Sequence, residues 1–380
     1  DSAIVGRLVG EKALAAVGAA YSLTNIFICV AIGGGMGASV IVSQYFGHGN
    51  YGKLKKTVYT ALVTFLVISV MLGVIGLAFS KNIMIAMNTP VEVLDMSVTY
   101  LQIYFLGLPF LFMYNVLSSM FNALGKSRIP LYFLIFSSVF NIVLDWVFVA
   151  DFALDVAGVA WATLIAQGVS VLGSFTVLRK ELKKLEGTSD GIFEAEELLP
   201  MAKIALPSIL QQSIGMMLVQ SVVNSFGAES LAGFSAGMRI ESICIVPMAA
   251  VGNAISSYTA QNIGAGQLKR VSKGYVQANK MVIFFGVVIC VILELFPTQF
   301  ITLFLGADGS QVAIATGYGY LVFMGFFFFM IGFKMAADGV LRGAGDMKLF
   351  TIANLVNLSI RVIMAMTLAP RFGIAWVWYA

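Results

Sequence analysis

Long apolar segments recur along the whole chain and constrain its fold more than any other feature. Residues 54–79 and 349–369 are two examples, and each exceeds the roughly 20 residues that a helix needs to cross a hydrocarbon core of about 30 Å. Hydrophobic residues make up 59% of the sequence and charged residues only 11%. The weakly alternating ten-residue strands of a membrane barrel are missing from the sequence. We therefore predict an all-α integral membrane protein.

Glycine, proline and charged residues separate the apolar segments into twelve predicted helices. Ten of them are predicted as complete spans, near 13–46, 54–79, 94–124, 129–149, 157–179, 201–225, 231–262, 272–305, 311–341 and 349–369. We expect the first helix (tail at 1–7) and the last (start at 373–380) to be truncated. The prediction is a twelve-helix bundle of two six-helix lobes, 1–179 and 199–380, joined by the charged linker 180–198.

The two predicted lobes are copies of one six-helix unit. Similar stretches recur at an offset of 217 and, later in the chain, of 220. The matching pairs are ALAAVGAAYSL at 13–23 with SLAGFSAGMRI at 230–240, GHGN at 47–50 with GAGQ at 264–267, and FNALGK at 121–126 with LRGAGD at 341–346. Because six is even, both copies start on the same side of the membrane, as in transporters built from parallel repeats.

Lysine and arginine are distributed unevenly between the two predicted sides of the membrane. The side that holds the linker carries most of them, whereas the opposite side holds only Arg7, Lys12, Lys81 and Arg371. By the positive-inside rule, the linker and both true termini are cytoplasmic. This orientation accounts for the net charge of +4 without a nucleic-acid partner. We predict a multi-pass protein of the cell inner (plasma) membrane, surrounded by lipid and monomeric.

The stretch FNIVLDWVF at 140–148 places an acid deep in a predicted span. Ser137, Asn141 and Asp145 are spaced four residues apart, so they form a polar stripe on one helix face. A charge in the middle of a bilayer costs a few kcal/mol even on lenient scales. Hydroxyl, amide and carboxylate oxygens suit Na⁺, and a carboxylate held out of water suits a proton. The alternative is an acid that is hydrogen-bonded between helices for structural reasons.

Several motifs in their order along the chain resemble the multidrug and toxic compound extrusion (MATE) family. They are DSAIVGRLVGEKALAAVGAA at 1–20, FNIVLD at 140–145, GVAWATLIAQ at 158–167, and the paired loops GHGN and GAGQ. The resemblance implies two six-helix lobes around a cavity that opens alternately to either side. It implies export of small organic, often cationic, drugs or toxic compounds in exchange for H⁺ or Na⁺, with no enzymatic activity and no cofactor besides the coupling ion.

The resemblance also implies an ion site in the first lobe. Family members of this type use an Asp on the first helix, an Asn and an Asp one turn apart on the fifth, and a Thr on the sixth. The matching residues here are Asp1, Asn141, Asp145 and Thr163, so H⁺ or Na⁺ is expected at these four. With Asp1 as the first residue present, we expect its carboxylate to be less well restrained than in an intact first helix.

The second lobe departs from the pattern of members that carry the ion there. The internal repeat aligns Asn141 with Arg361 and Asp145 with Ala365, and an arginine would repel a cation. Lys334 and Asp338 are one turn apart, and we interpret them as a structural pair. Together with Ser137 and Arg361 they form a predicted secondary polar network. Arg239 and Glu241 are expected to snorkel or to lie at the interface.

Two other functional classes fit the sequence less well. A flippase for lipid-linked saccharides shares the wider superfamily, but its first lobe is expected to carry a basic cavity, whereas the deep polar residues of this first half are acids and amides. An intramembrane prenyl transferase needs clustered acids or a zinc pair, and the chain has one histidine. The coupling ion, H⁺ or Na⁺, and the substrate stay open.

Overall fold

The computed structural model describes residues 11–87, 89, 91–152, 154–187, 191, 193–209, 228–305 and 310–379. Their regular secondary structure is entirely helical. Eight helices in this part of the chain are long and apolar enough to cross a membrane, and a ninth span results if one bent pair of helices is counted together. The predicted all-α membrane fold is confirmed. Contacts within the chain divide it into two compact units, Asp1–Ile209 and Leu210–Ala380.

The first unit contains five long helices, in which α3 packs against α1, α2 and α5, and α4 packs against α5. The helices are α1 (Glu11–His48), α2 (Tyr51–Ala86), α3 (Val91–Ala123), α4 (Arg128–Trp146) and α5 (Asp155–Lys183). A 3-10 turn at Ala195–Glu197 leads into a helical segment at residues 198–209, α6. The predicted lobe boundary at 198/199 stays a prediction, because the helix that crosses it continues into residues outside the described ranges.

The second unit is organised around α11, which packs against α7, α8 and α9. Its helices are α7 (Ala228–Cys244), α8 (Val246–Gly264), α9 (Leu268–Leu295), α10 (Pro297–Leu305), α11 (Gln311–Ala344) and α12 (Met347–Phe372), followed by a 3-10 turn at Ile374–Val377. The predicted span at 201–225 lies mostly outside the described residues.

Two predicted spans of the second unit are each broken into two helices. The span at 231–262 becomes α7 and α8, bent by 42°, and Pro247 occupies the first turn of α8. The span at 272–305 becomes α9 and α10, and Pro297 is the first residue of α10. Proline has no N–H and its ring clashes with the carbonyl four residues earlier, so a helix ends before it and a new one begins. Hydropathy alone does not detect such a break.

Four helix ends show the same glycine turn. Gly49, Gly125, Gly266 and Gly345 have φ between 69° and 76°. Each glycine N–H bonds the carbonyl three residues back, and the next N–H bonds the carbonyl five residues before it. This is the Schellman arrangement, in which glycine adopts the left-handed conformation without steric cost. The predicted repeat pairs Gly49 with Gly266 and Gly125 with Gly345, so the duplicated turns are found in both units.

Several helices expose continuous apolar faces. On α2, for example, Val67, Met71 and Val74 are 51%, 58% and 61% exposed. Faces of α4, α9 and α12 are equally apolar and exposed. A soluble protein rarely exposes apolar area on this scale, whereas a membrane protein places it against lipid. The exposed faces agree with a multi-pass membrane protein.

The described part of the linker packs on the first unit. The Lys55 ammonium donates to the carbonyl oxygens of Leu185 (3.0 Å) and Gly187 (2.8 Å). The Tyr45 hydroxyl donates to Glu197 Oε1 at 2.7 Å. These contacts hold the segment after α5 against the ends of α1 and α2.

Helices α8 and α11 approach closely at glycines. A Cβ atom at Gly339 would lie 2.3 Å from the carbonyl oxygen of Gly252, and one at Gly343 would lie 2.3 Å from the carbonyl oxygen of Ser256. Both positions therefore need glycine if the two backbones are to keep this separation. Small residues at four-residue spacing are the usual means of packing membrane helices at short range.

We expect Gly339→Ala to destabilise the second unit by about 1–3 kcal/mol, because the added methyl group meets backbone that cannot rotate away. Gly319→Ala on the same helix is the matched control, since the nearest atom to its Cβ would be in Trp378 at 3.9 Å. The measurement is the midpoint of thermal unfolding of the detergent-solubilised protein. Equal midpoints for the two variants would contradict the close approach of α8 and α11.

Candidate functional site

Asp145 is buried on a helix that is otherwise partly or fully exposed. The structure describes all 19 residues of α4, and Asp145 alone among them is buried, with an exposed fraction of 0%. Ser137 and Asn141 lie on the same face and are half-buried. The predicted polar stripe therefore faces the inside of the first unit, while the apolar residues of α4 face outward. Acidic side chains are rarely fully buried in proteins unless they are paired, so the burial of Asp145 indicates a specific role.

The amide of Asn141 links α4 to α5. Its Nδ2 donates to the Thr163 hydroxyl at 3.3 Å, and Thr163 Oγ1 donates to the Val159 carbonyl oxygen of its own helix at 3.0 Å. The Asn141–Thr163 contact lies one turn from Asp145. Three of the four predicted site residues are therefore grouped on two adjacent helices, and Asp1 lies outside the described residues.

The helix changes form immediately after Asp145. Residues Val147–Asp151 form a π-helical turn, whose end is marked by the Phe152 N–H bonding the Val147 carbonyl oxygen at 3.1 Å. The hydropathy of this segment had predicted an uninterrupted helix from 129 to 149. Single π turns within α-helices are frequent at functional sites. One residue more per turn gives this segment a route to shift its register by one residue if it returns to α-helix.

A small cavity adjoins Thr163. Its volume is about 30 Å³ and it lies between α3 and α5, with Tyr100, Tyr104 and Gln167 among its polar lining. A cavity of this size with several polar groups can hold a water molecule. The phenol of Tyr100 is also within electrostatic range of the Asp145 carboxylate. Polar groups of α3, α4 and α5 therefore lie in the neighbourhood of Asp145.

The described residues offer no cluster of three His, Cys, Asp or Glu side chains that could hold a metal ion. The donor set grouped around Asp145 is instead one carboxylate, one amide and one hydroxyl. Hard oxygen ligands of this kind suit an alkali cation or a proton rather than a transition metal.

The second unit contains a separate polar cluster. The Lys334 ammonium donates to Asp338 Oδ2 at 2.7 Å and to Asn354 Oδ1 at 2.6 Å. The Asn354 amide donates to Asp338 Oδ1 at 3.2 Å. The expected contact between Lys334 and Asp338 is present, and Asn354 of α12 closes it into a ring of three residues. Nothing in the spacing of α11 could have found Asn354, because it comes from another helix.

Glu241 lies in a different place from the one predicted. It was expected to snorkel or to lie at an interface, but it accepts a hydrogen bond from the buried Tyr320 hydroxyl. Both residues line a cavity of about 450 Å³ in the second unit, together with Lys334 and Arg361. The cause is tertiary, since α11 brings Tyr320 against α7.

We expect Thr163→Val to lower the stability of the first unit by about 0.5–1.5 kcal/mol, because the Asn141 amide loses an acceptor on the neighbouring helix. Thr176→Val is the matched control: Thr176 also lies on α5 and, among the described residues, donates to the Leu172 carbonyl oxygen of its own helix. Thermal unfolding in detergent measures both variants. If Thr176→Val lowered the midpoint as much as Thr163→Val, the contact between α4 and α5 would not contribute.

A family model matches most of the chain. It is that of MatE, and it covers residues 1–147 and 204–367. The probable multidrug resistance protein YpnP of Bacillus subtilis is 33% identical over 361 residues, which are 94% of this chain and 80% of the relative. The probable multidrug resistance protein YoeA of the same organism is 31% identical over 342 residues, covering 84% of this chain and 72% of the relative.

Solved structures share the fold. A transporter of the MOP superfamily from Pyrococcus furiosus superposes with a TM-score of 0.93 at 23% identity, covering 100% of this chain and 85% of that one. An outward-facing MATE family transporter superposes with a TM-score of 0.90 at 24% identity, covering 99% of this chain and 85% of that one. Because the MatE model and the two Bacillus subtilis relatives each match most of this chain, the chain belongs to the MatE family of integral membrane transporters.

Proposed function

We propose that the protein is a secondary antiporter that exports small organic compounds in exchange for H⁺ or Na⁺. The observation that carries the proposal is the burial of Asp145 beside the Asn141–Thr163 hydrogen bond in the first unit. Relatives described as probable multidrug resistance proteins support drugs or toxic compounds as the substrate class.

The proposed coupling site consists of Asp145, Asn141 and Thr163, completed by Asp1. A carboxylate that has left water is costly unless it binds a cation or a proton. The site is therefore occupied when it faces a compartment with a high ion concentration. The free energy of the protein then differs between the ion-bound and the ion-free state. Such a difference is what an ion gradient needs in order to drive a transport cycle.

The packing of α4 against α5 is the proposed response element. Binding an ion at Asp145 competes with or strengthens the neighbouring contact between Asn141 and Thr163. Either change alters how α4 rests on α5, and the π turn at Val147–Asp151 gives the end of α4 a second available register. We infer that this change alters the affinity of the first unit for substrate.

The orientation also belongs to the proposal. Basic residues such as Lys55, Lys126 and Lys184 lie at helix ends beside the linker, and Lys126 and Lys184 both pair with Glu181. Under the positive-inside rule, this end faces the cytoplasm. The proposed location is the plasma membrane, with export from the cytoplasm by alternating access.

We expect Asp145→Asn in the full-length protein to lower ion-driven drug efflux from vesicles by about tenfold or more, because the asparagine cannot carry the charge that binds the coupling ion. Asp95→Asn is the control, since Asp95 is exposed on α3. The measurement is the initial rate of efflux of a fluorescent drug under an imposed gradient.

The same vesicles identify the ion. Efflux driven by a pH gradient alone indicates H⁺, and efflux driven by a Na⁺ gradient alone indicates Na⁺. If Asp145→Asn vesicles matched the wild type under both gradients, the coupling site would lie elsewhere.

A further inference from the structure

The large cavity of the second unit is lined by charged residues, whereas the small cavity beside Thr163 is not. Its volume is about 450 Å³, and two acids and two bases line it: Glu241, Asp338, Lys334 and Arg361. A cavity of this volume is within the range of small-molecule sites. A ligand can bind only those charged groups that are not already paired within the protein.

Both acids have hydrogen-bond partners, but only the charge of Asp338 is cancelled by a base, because the hydroxyl that bonds Glu241 is neutral. The Tyr320 hydroxyl donates to Glu241, and Asp338 accepts from both Lys334 and Asn354. Lys334 also donates to Asn354, so Lys334, Asp338 and Asn354 form a closed ring of hydrogen bonds. The charges of Lys334 and Asp338 therefore cancel locally, and neither is available to a ligand without breaking the ring.

Arg361 is different. It is exposed although it lines the cavity, and within the described part of the chain it makes no salt bridge. Arg361 lies within electrostatic range of Glu241 and Tyr320 but forms no ion pair with Glu241 among the described residues. A guanidinium has five N–H donors arranged to match a carboxylate or phosphate. Asn354, Asn357 and Arg361 recur every three or four residues on α12, so they present one polar face to the cavity.

Aromatic rings line part of the remaining wall, beside aliphatic side chains and methionines. Phe234 stacks with Trp378 at a centroid distance of 6.3 Å, and Phe323 stacks with Phe327 at 4.5 Å. Tyr320 meets Phe234 edge-on at 5.1 Å. Flat apolar surfaces of this kind favour a planar aromatic ligand through stacking and apolar burial.

We propose that this cavity binds a planar aromatic compound that carries one anionic group, with Arg361 as the residue that binds the anion. The inference rests on the proposed function in that the cavity serves as a substrate site of the exporter. It adds an aromatic anion, bound by Arg361, to the organic cations expected from the family resemblance. The anionic group is a carboxylate or a phosphate ester.

Charge on the ligand is tested directly by binding to the full-length protein in detergent, measured by isothermal titration calorimetry without any gradient. The probes are 2-naphthoate, 1-naphthyl phosphate and 1-naphthylmethylammonium, which share an aromatic body and differ in charge. We expect either or both anions to bind more tightly than the ammonium. Tighter binding of the naphthoate identifies a carboxylate, and tighter binding of the phosphate identifies a phosphate ester.

Three variants locate the anion. Arg361→Gln should weaken binding of the preferred anion by roughly tenfold, the loss expected for a charged hydrogen-bonding group. Arg361→Lys should retain part of the affinity because it keeps the charge. Arg371→Gln is the matched control, since Arg371 lies on the same helix, is exposed and does not line the cavity; it should leave binding unchanged.

The inference is overturned if the ammonium binds as tightly as the anions, or if Arg361→Gln leaves anion affinity unchanged. The first result needs only the wild-type protein, so it stands even if a variant does not fold. Because binding is measured without a gradient, failure here leaves ion-coupled export intact. Failure of Asp145→Asn to affect efflux would instead refute the proposed coupling site.

Discussion

Polar groups in the core of a membrane have no water to bind, and each must find a partner within the protein. For the backbone, a helix meets this requirement because it pairs its N–H and C=O groups within one segment. Helices end at glycine turns such as those at Gly49 and Gly266, which bond the last carbonyl oxygens. The first turn of helix α8 contains a proline, which has no N–H and therefore leaves no donor unbonded. For side chains, the same requirement makes every buried acid costly. Asp145 is buried on a helix whose other residues are not, and the hydrogen bond between Asn141 and Thr163 lies one turn away.

The two units share one sequence repeat but differ in the charge of their polar sites. At equivalent positions, Asn141 and Asp145 of the first copy are replaced by Arg361 and Ala365 in the second. In our proposal, the first site therefore offers oxygen ligands to a cation, and the second offers the guanidinium of Arg361 to an anion. A duplicated unit kept its fold, because the turns and spans recur. Its chemistry diverged at the side chains that line the interior.

Much of this could be predicted from the sequence. Hydropathy located the spans, and the four-residue spacing of Ser137, Asn141 and Asp145 placed them on one face, which the structure turns inward. Contacts between distant segments could not be predicted in this way. Asn354 joins Lys334 and Asp338 from another helix, and Tyr320 holds Glu241 across two helices. The π turn after Asp145 was missed because its residues are as apolar as those of an α-helix.

The central claim is that the first unit binds the coupling ion at Asp145 and exchanges it for substrate. Its most direct test is the release of that ion when a transported drug is added to the purified full-length protein in weakly buffered detergent solution. A pH indicator records protons and a sodium electrode records Na⁺. We expect the wild type to release one of the two ions and Asp145→Asn to release neither. Equal release from both proteins would contradict ion binding at Asp145.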